Sequence, residues 1–402
     1  MRDHLLTLNA GSSSIKFALF ELEGDLSAPS VAGQADGLGL NATLKIRSAD
    51  GATRHDASLT GSGHTTTTHK DALAAVLEWM RAHQSDVKVC AVGHRIVHGG
   101  TEFDAPVLID DAVQTTVAAL QPLAPLHQPH NLAGVQAARA AFAGVPQVAC
   151  FDTAFHRKQP AINQRFALPQ ALHDAGVRRY GFHGLSYESI RAQLTAADER
   201  SAQGRIVIAH LGNGASMCAM RSGESVATTM SFSPLDGLPM GTRCGRLDAA
   251  VVLYLLQHDG RSADDISRLL HRESGLLGLS GVSSDMRELL ASGAHGARLA
   301  IDYFVEQVLR ELAGMAAALR GIDRLVFTGG VGENAAVLRA RIVEGAGWMG
   351  MKLDTPANRR GSGFISTADS LVPVQVLRTN EEAVIARHTA HLALPQRTSS
   401  AG

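Results

Sequence analysis

The sequence predicts an α/β protein with two related domains that face one another across a cleft. Two segments, separated by about two hundred residues, each contain an apolar strand, a turn of Gly, Ser or Asn, and a second strand. Apolar strands and amphipathic helices alternate along most of the chain, which is typical of α/β architecture with a mixed sheet in each half. With 402 residues, 45% of them hydrophobic, the chain is long enough to form two cores rather than one.

The first of the two segments lies close to the start of the sequence. Residues 5–8 predict a buried strand, residues 15–20 predict a second strand, and Gly11 and three serines lie between them. A turn of this composition offers backbone N–H groups and hydroxyls to an anion such as a polyphosphate. It is not a P-loop, because no Gly-Lys-[Ser/Thr] run follows and the next element is a strand. Considered alone, it is better interpreted as an ordinary tight hairpin.

Two later Gly-rich turns strengthen the case for a nucleotide site. Residues 205–211 predict an apolar strand that leads into a Gly-Asn-Gly turn and a returning strand at 217–220. A third Gly-rich loop, at 329–334, follows the short apolar run 325–328 and precedes an Ala-rich helix. Glycines at such turns let a ring or a phosphate lie against bare backbone. Three turns of this kind, each after an apolar strand, favour nucleotide binding.

The remaining elements follow from periodicity and composition. Apolar spacing predicts four helices, at residues 71–83, 132–142, 248–258 and 297–320. Two further strands are predicted, at residues 89–96 and 145–151. Residues 34–69 are polar and predict loops and edge strands, and residues 395–402 predict a disordered tail.

Composition and charge exclude several classes of function. The formal net charge is −1 and the isoelectric point about 7.0, so there is no electrostatic basis for binding nucleic acid or an anionic membrane. The four cysteines are scattered without a Cys-x-x-Cys pair, which suits a reducing cytoplasm and argues against structural zinc. Neither a signal-peptide core nor a membrane-spanning run is found. We therefore expect a soluble cytoplasmic protein.

Four polar residues at strand ends and tight turns are candidates for the chemistry. Arg95 lies in an apolar strand before a Gly pair, Asp152 ends another strand, and His183 and Arg243 lie in Gly-containing turns. Two of them have an equally good structural interpretation: Arg95 can pair with a core carboxylate, and Asp152 can cap the following turn. Together, cations around a carboxylate that can face Mg²⁺ fit phosphoryl transfer better than acyl or hydride transfer.

The 18 histidines do not predict a transition-metal centre. His127 and His130 have i, i+3 spacing, but Pro129 is expected to break a shared helical face. His98 and His210 are expected to be hydrogen-bonded residues rather than ligands. We expect no dedicated transition-metal site.

Eight sequence blocks together closely resemble the acetate kinase family, and they follow the family's order over nearly the whole chain. The blocks are Asn-Ala-Gly-Ser-Ser-Ser-Ile-Lys, Gly-His-Arg-Ile-Val-His-Gly-Gly, Phe-Asp-Thr-Ala-Phe-His, Arg-Tyr-Gly-Phe-His-Gly, His-Leu-Gly-Asn-Gly-Ala-Ser, Gly-Thr-Arg-Cys-Gly, Phe-Thr-Gly-Gly-Val-Gly-Glu-Asn and Thr-Asn-Glu-Glu. The resemblance implies two ribonuclease-H-like domains of the actin-like ATPase type with a nucleotide cleft between them. Their expected limits are 1–152 with 382–402, and 153–381.

The resemblance also implies an activity and its partners. It implies a homodimer that uses ATP/ADP and Mg²⁺, with Mn²⁺ as a possible substitute, to interconvert acetate and acetyl phosphate. A propionate or butyrate kinase of the same family is the nearest alternative. Beyond the family, a nucleotide-dependent switch would need no carboxylate-binding Arg pair. A sugar kinase would need a larger polar pocket and an Asp that acts as a general base.

Residue roles are carried over from the family block by block. Asn9 and Glu381 match metal-side residues, Arg95 the substrate-binding Arg, and Asp152 the catalytic Asp, while His183 and Arg243 match two residues that stabilise the transition state. Four residues match the acyl pocket: Val97, Leu126, Phe182 and Pro234. The nucleotide-binding positions are Lys16, His210, Leu211, Gly212, Asn213, Gly214, Asp285, Met286, Arg287, Gly330, Val331, Gly332, Glu333 and Asn334.

At two points the expectation for this chain differs from the roles that the family resemblance implies. Arg246 stands where the family usually has an acidic residue, and a charge reversal three residues from Arg243 is expected to shift the partners of that Arg. In addition, acetate is already an anion at neutral pH. We therefore expect Asp152 to act through Mg²⁺ and by orienting Arg95, and not as a proton acceptor.

Overall fold

The chain folds into two structural units. The structure is a computed structural model that describes residues 2–11, 14–38, 42–59, 67–198, 200 and 203–394. The first unit contains the described residues of Met1–Ala154 and Asn380–Gly402, and the second is Phe155–Thr379. The predicted tail at 395–402, residues 39–41 and 60–66 of the polar segment, and Ser12 and Ser13 of the first turn lie outside the described residues.

The first unit is built on an eight-stranded mixed sheet. β1 pairs antiparallel with β2 and parallel with β6, and β6 pairs parallel with β8. The predicted strand–turn–strand at the start of the sequence is thus confirmed as β1 and β2. The polar segment contributes the end of β3 and the strands β4 and β5, of which only β5 lies at the edge of the sheet. In the order β5-β4-β3-β2-β1-β6-β8-β7, the strands are β1 (Arg2–Ala10), β2 (Ser14–Glu21), β3 (Val31–Asp36), β4 (Thr43–Ser48), β5 (Thr53–Ser58), β6 (Val87–Ile96), β7 (Val107–Leu108) and β8 (Gln147–Phe151).

Three helices of the first unit lie between its strands in the sequence. α1 (His69–His83) connects β5 to β6, and α2 (Asp111–Ala119) and α3 (Gln128–Ala141) lie between β7 and β8. The predicted apolar face of α1 is confirmed, because Leu73, Val76 and Met80 are buried against the sheet. The expected effect of Pro129 is wrong. α3 begins at Gln128, so Pro129 lies in its first turn, where a missing N–H costs nothing and the fixed φ favours the helix.

The second unit contains a six-stranded sheet with the same central arrangement as the first. β9 pairs antiparallel with β10 and parallel with β12, and β12 pairs parallel with β14. β9 therefore occupies the place of β1, and the predicted duplication is seen in the strand order. In the order β11-β10-β9-β12-β14-β13, the strands are β9 (Arg205–Leu211), β10 (Ala215–Arg221), β11 (Glu224–Thr228), β12 (Arg324–Thr328), β13 (Gly363–Phe364) and β14 (Val374–Val376).

Helices surround the second sheet, and the longest of them, α10, was predicted from its periodicity. Its buried face includes Phe304, Val308 and Leu312. The third Gly-rich loop differs from the expectation, because Gly329–Asn334 forms a short helix directly after β12. The helices are α4 (Gln170–Asp174), α5 (Gly184–Ala197), α6 (Ala249–Gln257), α7 (Ala263–Arg272), α8 (Gly275–Ser280), α9 (Met286–Ala291), α10 (His295–Leu319), α11 (Gly329–Asn334), α12 (Ala336–Gly345) and α13 (Thr355–Arg360).

A last helix, α14 (Glu381–Ala393), returns to the first unit. Asn380 caps its start by accepting a hydrogen bond from the Ala383 N–H at 3.1 Å. The helix packs so closely on β6 that a side chain at Gly93 would collide with Thr389 and with Ile385, its Cγ2 at 2.5 Å. The division between the units lies at 154/155 and 379/380, so Glu381 belongs to the first unit and not to the predicted segment 153–381.

In the part of the chain that the structure describes, no helix is both long enough and apolar enough to cross a membrane.

Candidate active site

The parallel strands of the first unit bring three expected site residues to one edge of its sheet. Asn9 lies near the end of β1, Arg95 near the end of β6, and Asp152 directly after β8. The registers of β1 with β6 and of β6 with β8 align these ends. The sequence therefore positions an amide, a guanidinium and a carboxylate together through strand length and register alone.

Arg95 makes a two-pronged contact with Asp152. Its Nε donates to Oδ1 at 3.1 Å and its Nη2 donates to Oδ2, while its Nη1 donates to Oδ1 of Asn9 at 3.1 Å. Of the two interpretations left open by the sequence, pairing with a buried carboxylate is therefore observed. A guanidinium carries five N–H groups. The other two, one on Nη1 and one on Nη2, have no recorded partner among the described residues, so they are able to donate to a second carboxylate.

The pair is deeply buried, which determines the charges that it carries. The side chain of Asp152 is 1% exposed and that of Arg95 is 16% exposed. Burial acts to lower the pKa of Arg95, but Asp152 and Glu381 together raise it above its usual value. Burial raises the pKa of Asp152, and Arg95 opposes that shift. Arg95 thus stays a cation, and removal of either partner would leave a buried charge uncompensated.

Glu381, the first residue of α14, belongs to the same charged cluster. Burial raises the pKa of Glu381 to about 7; Arg95 opposes this shift, while Asp152 and Glu382 add to it. Lys16 lies on β2 directly opposite Asn9 and acts in the same sense as Arg95. The first unit therefore places two acids and an amide oxygen around one cationic side chain.

The four expected acyl-pocket residues are divided between the units. Val97 follows β6, is 3% exposed, and donates its backbone N–H to Asn131 at 2.9 Å. Leu126, also in the first unit, is half-buried. In the second unit, Phe182 is 1% exposed and Pro234 is half-buried.

His183 occupies a strained position at the start of α5. Its φ of 58° is left-handed, which is uncommon for a residue other than Gly. A Cβ atom at Gly214 would lie 3.4 Å from His183 Nε2 and 3.4 Å from Arg243 Nη2. The structure thus brings His183, Arg243 and the Gly-Asn-Gly turn together around one point.

Hydroxyl groups bind the ring nitrogens on the other side of His183 and of its neighbour His210. The two rings stack with centroids 4.4 Å apart. His183 Nδ1 lies 2.8 Å from Ser216 Oγ, which also contacts the Tyr187 hydroxyl, and His210 Nδ1 lies 2.8 Å from Ser186 Oγ. Sequence reasoning missed these three hydroxyl residues, because each lies on an apolar face that indicates only a core position.

A cavity of about 690 Å³ lies beside the Gly-rich segments of the second unit. This volume is within the range of small-molecule and cofactor sites. All three expected nucleotide segments contribute to its wall, through Gly212, Asn213, Asp285, Met286, Arg287, Gly330, Val331 and Asn334. Apolar residues that sequence reasoning did not single out complete it, namely Leu276, Leu290, Phe304 and Ala335, with Ser284.

Some expected nucleotide residues do not line this cavity. Glu333 turns inward, where its Oε1 accepts hydrogen bonds from the N–H groups of Gly329 at 2.9 Å and Thr379 at 3.1 Å. Gly332 and Leu211 are buried. These residues support the segments that line the cavity. Their positions within the sequence motifs do not distinguish such supporting residues from residues that line the cavity.

Arg246 has its own partner in the second unit. Its Nη1 lies 3.1 Å from Oε1 of Glu311 on α10, whose side chain is 7% exposed. Burial raises the pKa of Glu311, and Arg246 opposes that shift. Arg243 donates from Nη1 to the carbonyl of Pro234 at 2.7 Å. The recorded partner of Arg246 is thus a buried carboxylate, which it neutralises, and the predicted shift in the partners of Arg243 stays a prediction.

Comparison with known proteins agrees with this geometry. The model of the acetokinase family matches residues 4–387. The chain belongs to the acetokinase family. It is 51% identical to a protein of Methylocella silvestris named acetate kinase, with 96% of this chain and 97% of that protein covered. A protein of the same name from Rhodopseudomonas palustris is 50% identical over 98% of this chain and 99% of its own length.

Solved structures of related kinases have the same fold as this acetokinase-family chain. A propionate kinase from Francisella tularensis superposes with a TM-score of 0.88 at 35% identity, covering 97% of this chain and all of that one. Porphyromonas gingivalis acetate kinase superposes with a TM-score of 0.85 at 36% identity, covering 97% and 99%. The expected two-domain actin-like ATPase fold is therefore confirmed.

Proposed function

We propose that this protein is an acetate kinase that transfers the γ-phosphoryl group of ATP to acetate and catalyses the reverse reaction. The observation that carries the proposal is the state of Arg95. Asp152 and Asn9 occupy three of its N–H groups, and the remaining two, one on each terminal nitrogen, are able to donate to a small carboxylate. The acetokinase family model and the relatives named acetate kinase support the same activity.

The chemistry requires positioning and charge neutralisation more than proton transfer. A carboxylate oxygen of acetate attacks the γ-phosphorus, and the bond from that phosphorus to the β–γ bridging oxygen breaks, which releases ADP. Acetate is deprotonated at neutral pH, so no proton has to be removed from the nucleophile. Asp152 accordingly holds Arg95 in place and contributes negative charge, and no general base is needed.

Residues of the second unit would stabilise the negative charge on the phosphoryl group during its transfer. His183 Nε2 and Arg243 Nη2 approach the same point beside Gly214. An imidazole nitrogen and a fixed cation directed at a single position suit the equatorial oxygens of a phosphoryl group. The cavity beside the same Gly-rich segments supplies space for the rest of a nucleotide.

The residues of the first unit fit a divalent metal ion. Hard cations such as Mg²⁺ take oxygen ligands, and in phosphoryl-transfer enzymes one or two carboxylates together with substrate phosphates are enough. Glu381, whose pKa burial raises to about 7, and Asn9 would hold the ion near Asp152. Among the described residues no group of three or more His, Cys, Asp or Glu side chains suits a metal, which agrees with a shared rather than an all-protein site. Mg²⁺, or Mn²⁺ in its place, would neutralise phosphate charge.

The same protein is expected to form a homodimer in the cytoplasm. Helix α6 is almost entirely apolar and none of its residues is buried in the monomer; Leu253 is 52% and Tyr254 60% exposed. Monomeric proteins seldom expose such a face, and an identical helix of a second copy can cover it in a two-fold interface. Leu253→Glu should then halve the mass measured by light scattering, whereas Leu371→Glu, at another exposed leucine, should not. A wild-type monomer would contradict the dimer.

The activity is tested with purified protein, Mg-ATP and each of acetate, propionate, butyrate and glucose. Phosphorylated product is measured directly by hydroxylamine trapping of the acyl phosphate, and ADP by a coupled assay. We expect the highest kcat/KM for acetate, measurable turnover of propionate, none of glucose, and complete loss of activity in EDTA that excess Mg²⁺ reverses. A higher kcat/KM for propionate than for acetate would favour the alternative family activity.

A further inference from the structure

Three residues of the second unit form a continuous hydrogen-bonded chain that ends at the catalytic imidazole. The Tyr187 hydroxyl contacts Ser216 Oγ, and Ser216 Oγ lies 2.8 Å from His183 Nδ1. Tyr187 and Ser216 are both fully buried. The chain runs from α5 through β10 back to the residue that precedes α5, so all three groups are held by regular structure.

The direction of the hydrogen bonds follows from the Tyr187 hydroxyl. Burial raises the pKa of Tyr187 well above its usual value, so this hydroxyl keeps its proton. Within the part of the chain that the structure describes, its recorded partner is Ser216 Oγ. A buried hydroxyl proton without an acceptor costs about 1–3 kcal/mol. Tyr187 therefore donates to Ser216.

Ser216 then has its own proton available for His183. Its oxygen accepts from Tyr187, so its O–H donates to His183 Nδ1, which must be the unprotonated nitrogen of the ring. The ring proton consequently lies on Nε2. Nε2 is the nitrogen that faces Gly214 and Arg243.

We propose that Tyr187 and Ser216 are positioning residues that hold His183 in the neutral tautomer with its proton on Nε2, directed at the phosphoryl group. The inference rests on the proposed kinase function for its use, although the tautomer can be measured without it. A cationic His183 would have to donate from Nδ1 to Ser216, and Ser216 Oγ, already accepting from Tyr187, would then keep its own buried proton without a recorded acceptor among the described residues. His183 then acts as a donor that neither gains nor loses a proton during transfer, while Arg243 supplies the positive charge.

The neighbouring histidine shows that this arrangement is specific to His183. His210 also presents Nδ1 to a serine hydroxyl, that of Ser186 at 2.8 Å. Among the described residues Ser186 has this one recorded side-chain contact, whereas Ser216 also contacts the tyrosine behind it. The tyrosine–serine pair is therefore recorded behind His183 Nδ1 and not behind His210 Nδ1.

The tautomer is tested by NMR of the full-length protein with ¹⁵N-labelled histidine, in which His183→Asn identifies the His183 signals. We expect the His183 Nδ1 resonance of the wild type in the range of an unprotonated nitrogen and Nε2 in the range of a protonated one. Tyr187→Phe and Ser216→Ala should each move both resonances toward a mixture of tautomers. Tyr180→Phe removes another buried tyrosine hydroxyl, which binds the Gly176 carbonyl at 2.8 Å, and should leave them unchanged.

Kinetics provide the second measurement. Tyr187→Phe should lower kcat at least about ten-fold with KM for ATP and acetate nearly unchanged, because a wrongly protonated catalytic histidine can cost up to about 10⁴-fold. Protonated Nδ1 in the wild type, or His183 resonances that do not move in Tyr187→Phe and Ser216→Ala, would overturn the proposal. If Tyr187→Phe does not fold, the wild-type spectrum and Ser216→Ala decide. Near-normal kcat in His183→Asn would instead refute the role of His183 in the proposed function.

Discussion

The two units share a strand arrangement but hold their reactive side chains in opposite ways. In the first unit, the end of β6 presents Arg95, and a buried carboxylate holds it through two charged hydrogen bonds. In the second unit, neutral hydroxyl groups hold His183, and a backbone carbonyl accepts from Arg243. The comparison indicates that the same strand arrangement can hold a reactive side chain either by a buried ion pair or by neutral hydrogen bonds.

This difference has an energetic consequence. A buried ion pair that loses one member leaves a charge in a medium of low polarity, at a cost of about 3–5 kcal/mol. A neutral hydrogen bond that loses one member costs about 1–3 kcal/mol. Substitutions in the first unit should therefore affect folding and catalysis together, and those in the second unit should affect catalysis more selectively.

The sharpest test replaces the two arginines. Arg95→Ala and Arg243→Ala should each lower kcat/KM by roughly 10³-fold or more if each supplies about 4 kcal/mol to the transition state. Only Arg95→Ala should also lower the unfolding free energy markedly, because Asp152 is left buried and unpaired. Arg95→Lys should not rescue turnover, since an ammonium cannot make the two-pronged contact. Steady-state kinetics and urea unfolding measure both effects; near-normal kcat in either alanine variant would refute the assignment.

A pH titration of stability compares the units again. Burial lowers the pKa of His94, His98 and His156 from 6.5 to about 4. For these three groups the unfolded chain binds more protons than the folded protein between these values, so their contribution to stability is complete above pH 6.5 and falls as the pH drops toward 4. Each histidine can contribute up to about 3 kcal/mol. His94 and His98 lie in the first unit and His156 in the second, but Glu381 of the first unit, whose pKa burial raises to about 7, acts in the opposite sense. The contribution of a histidine is therefore measured as the difference between its variant and the wild type.

Trp79 makes this measurable. It lies in the core of the first unit, and Trp348→Phe leaves it as the sole tryptophan. Urea unfolding followed by its fluorescence at pH 7 and pH 5 gives the midpoint of the first unit. On acidification the midpoint should fall less, or rise more, in His94→Gln than in the wild type, whereas replacement of the exposed His258 should leave the wild-type change as it is. The same change in His94→Gln as in the wild type would show that His94 is not held neutral.

The effect of substrate size is smaller, and it is tested at a residue of the first unit. A methylene group changes binding in an apolar pocket by about 1–3 kcal/mol. Val97, which is buried two residues after Arg95, should meet the acyl chain, so Val97→Ala should lower KM for propionate and butyrate and reduce kcat for acetate only modestly. Val135→Ala makes the same change in the core at α3 and serves as the control. An unchanged preference ratio between acetate and propionate would remove Val97 from the pocket.

The smallest effect on activity and stability is expected at the ion pair between Arg246 and Glu311 in the second unit. Arg246→Ala separates Glu311 from its partner and should lower the unfolding free energy by about 1 kcal/mol, less than for a fully buried pair because Arg246 is largely exposed. kcat should change less than about three-fold. Arg310→Ala breaks an exposed pair on the same helix and should have almost no effect on stability. A large loss of kcat in Arg246→Ala would show that Arg246 does influence Arg243.

The sequence predicted the parts of the fold that depend on local pattern. Both strand–turn–strand segments, α1 and α10 were found where apolar spacing placed them, and the strand ends carry Arg95 and Asp152 as expected. Packing determined what the pattern could not. Pro129 was taken as a helix breaker because its position relative to the helix start was unknown, and it lies in the first turn.

The site shows the same limit. Sequence blocks named His183 and Glu333, but they did not reveal that Glu333 turns back to bind the backbone of Gly329. The positions of Tyr187 and Ser216 in the sequence indicate only that they belong to the core. A buried residue whose hydroxyl makes a hydrogen bond has the same spacing along a helix or strand as an apolar core residue. Their role depends on contacts between α5 and β10, which periodicity does not contain.

The return of α14 to the first unit has a consequence for how the protein is made. The ribosome completes residues 381–393 only after the whole of Phe155–Thr379 has been synthesised. Until then, β6 lacks the helix that covers Gly93, so the first unit is incomplete. The second unit is continuous in sequence and can fold before the first unit is finished. The order of folding during translation is therefore expected to run opposite to the order of the sequence. Because Glu381 arrives with this last helix, a nascent or truncated chain would hold a formed nucleotide cavity but not the complete set of charges beside Arg95.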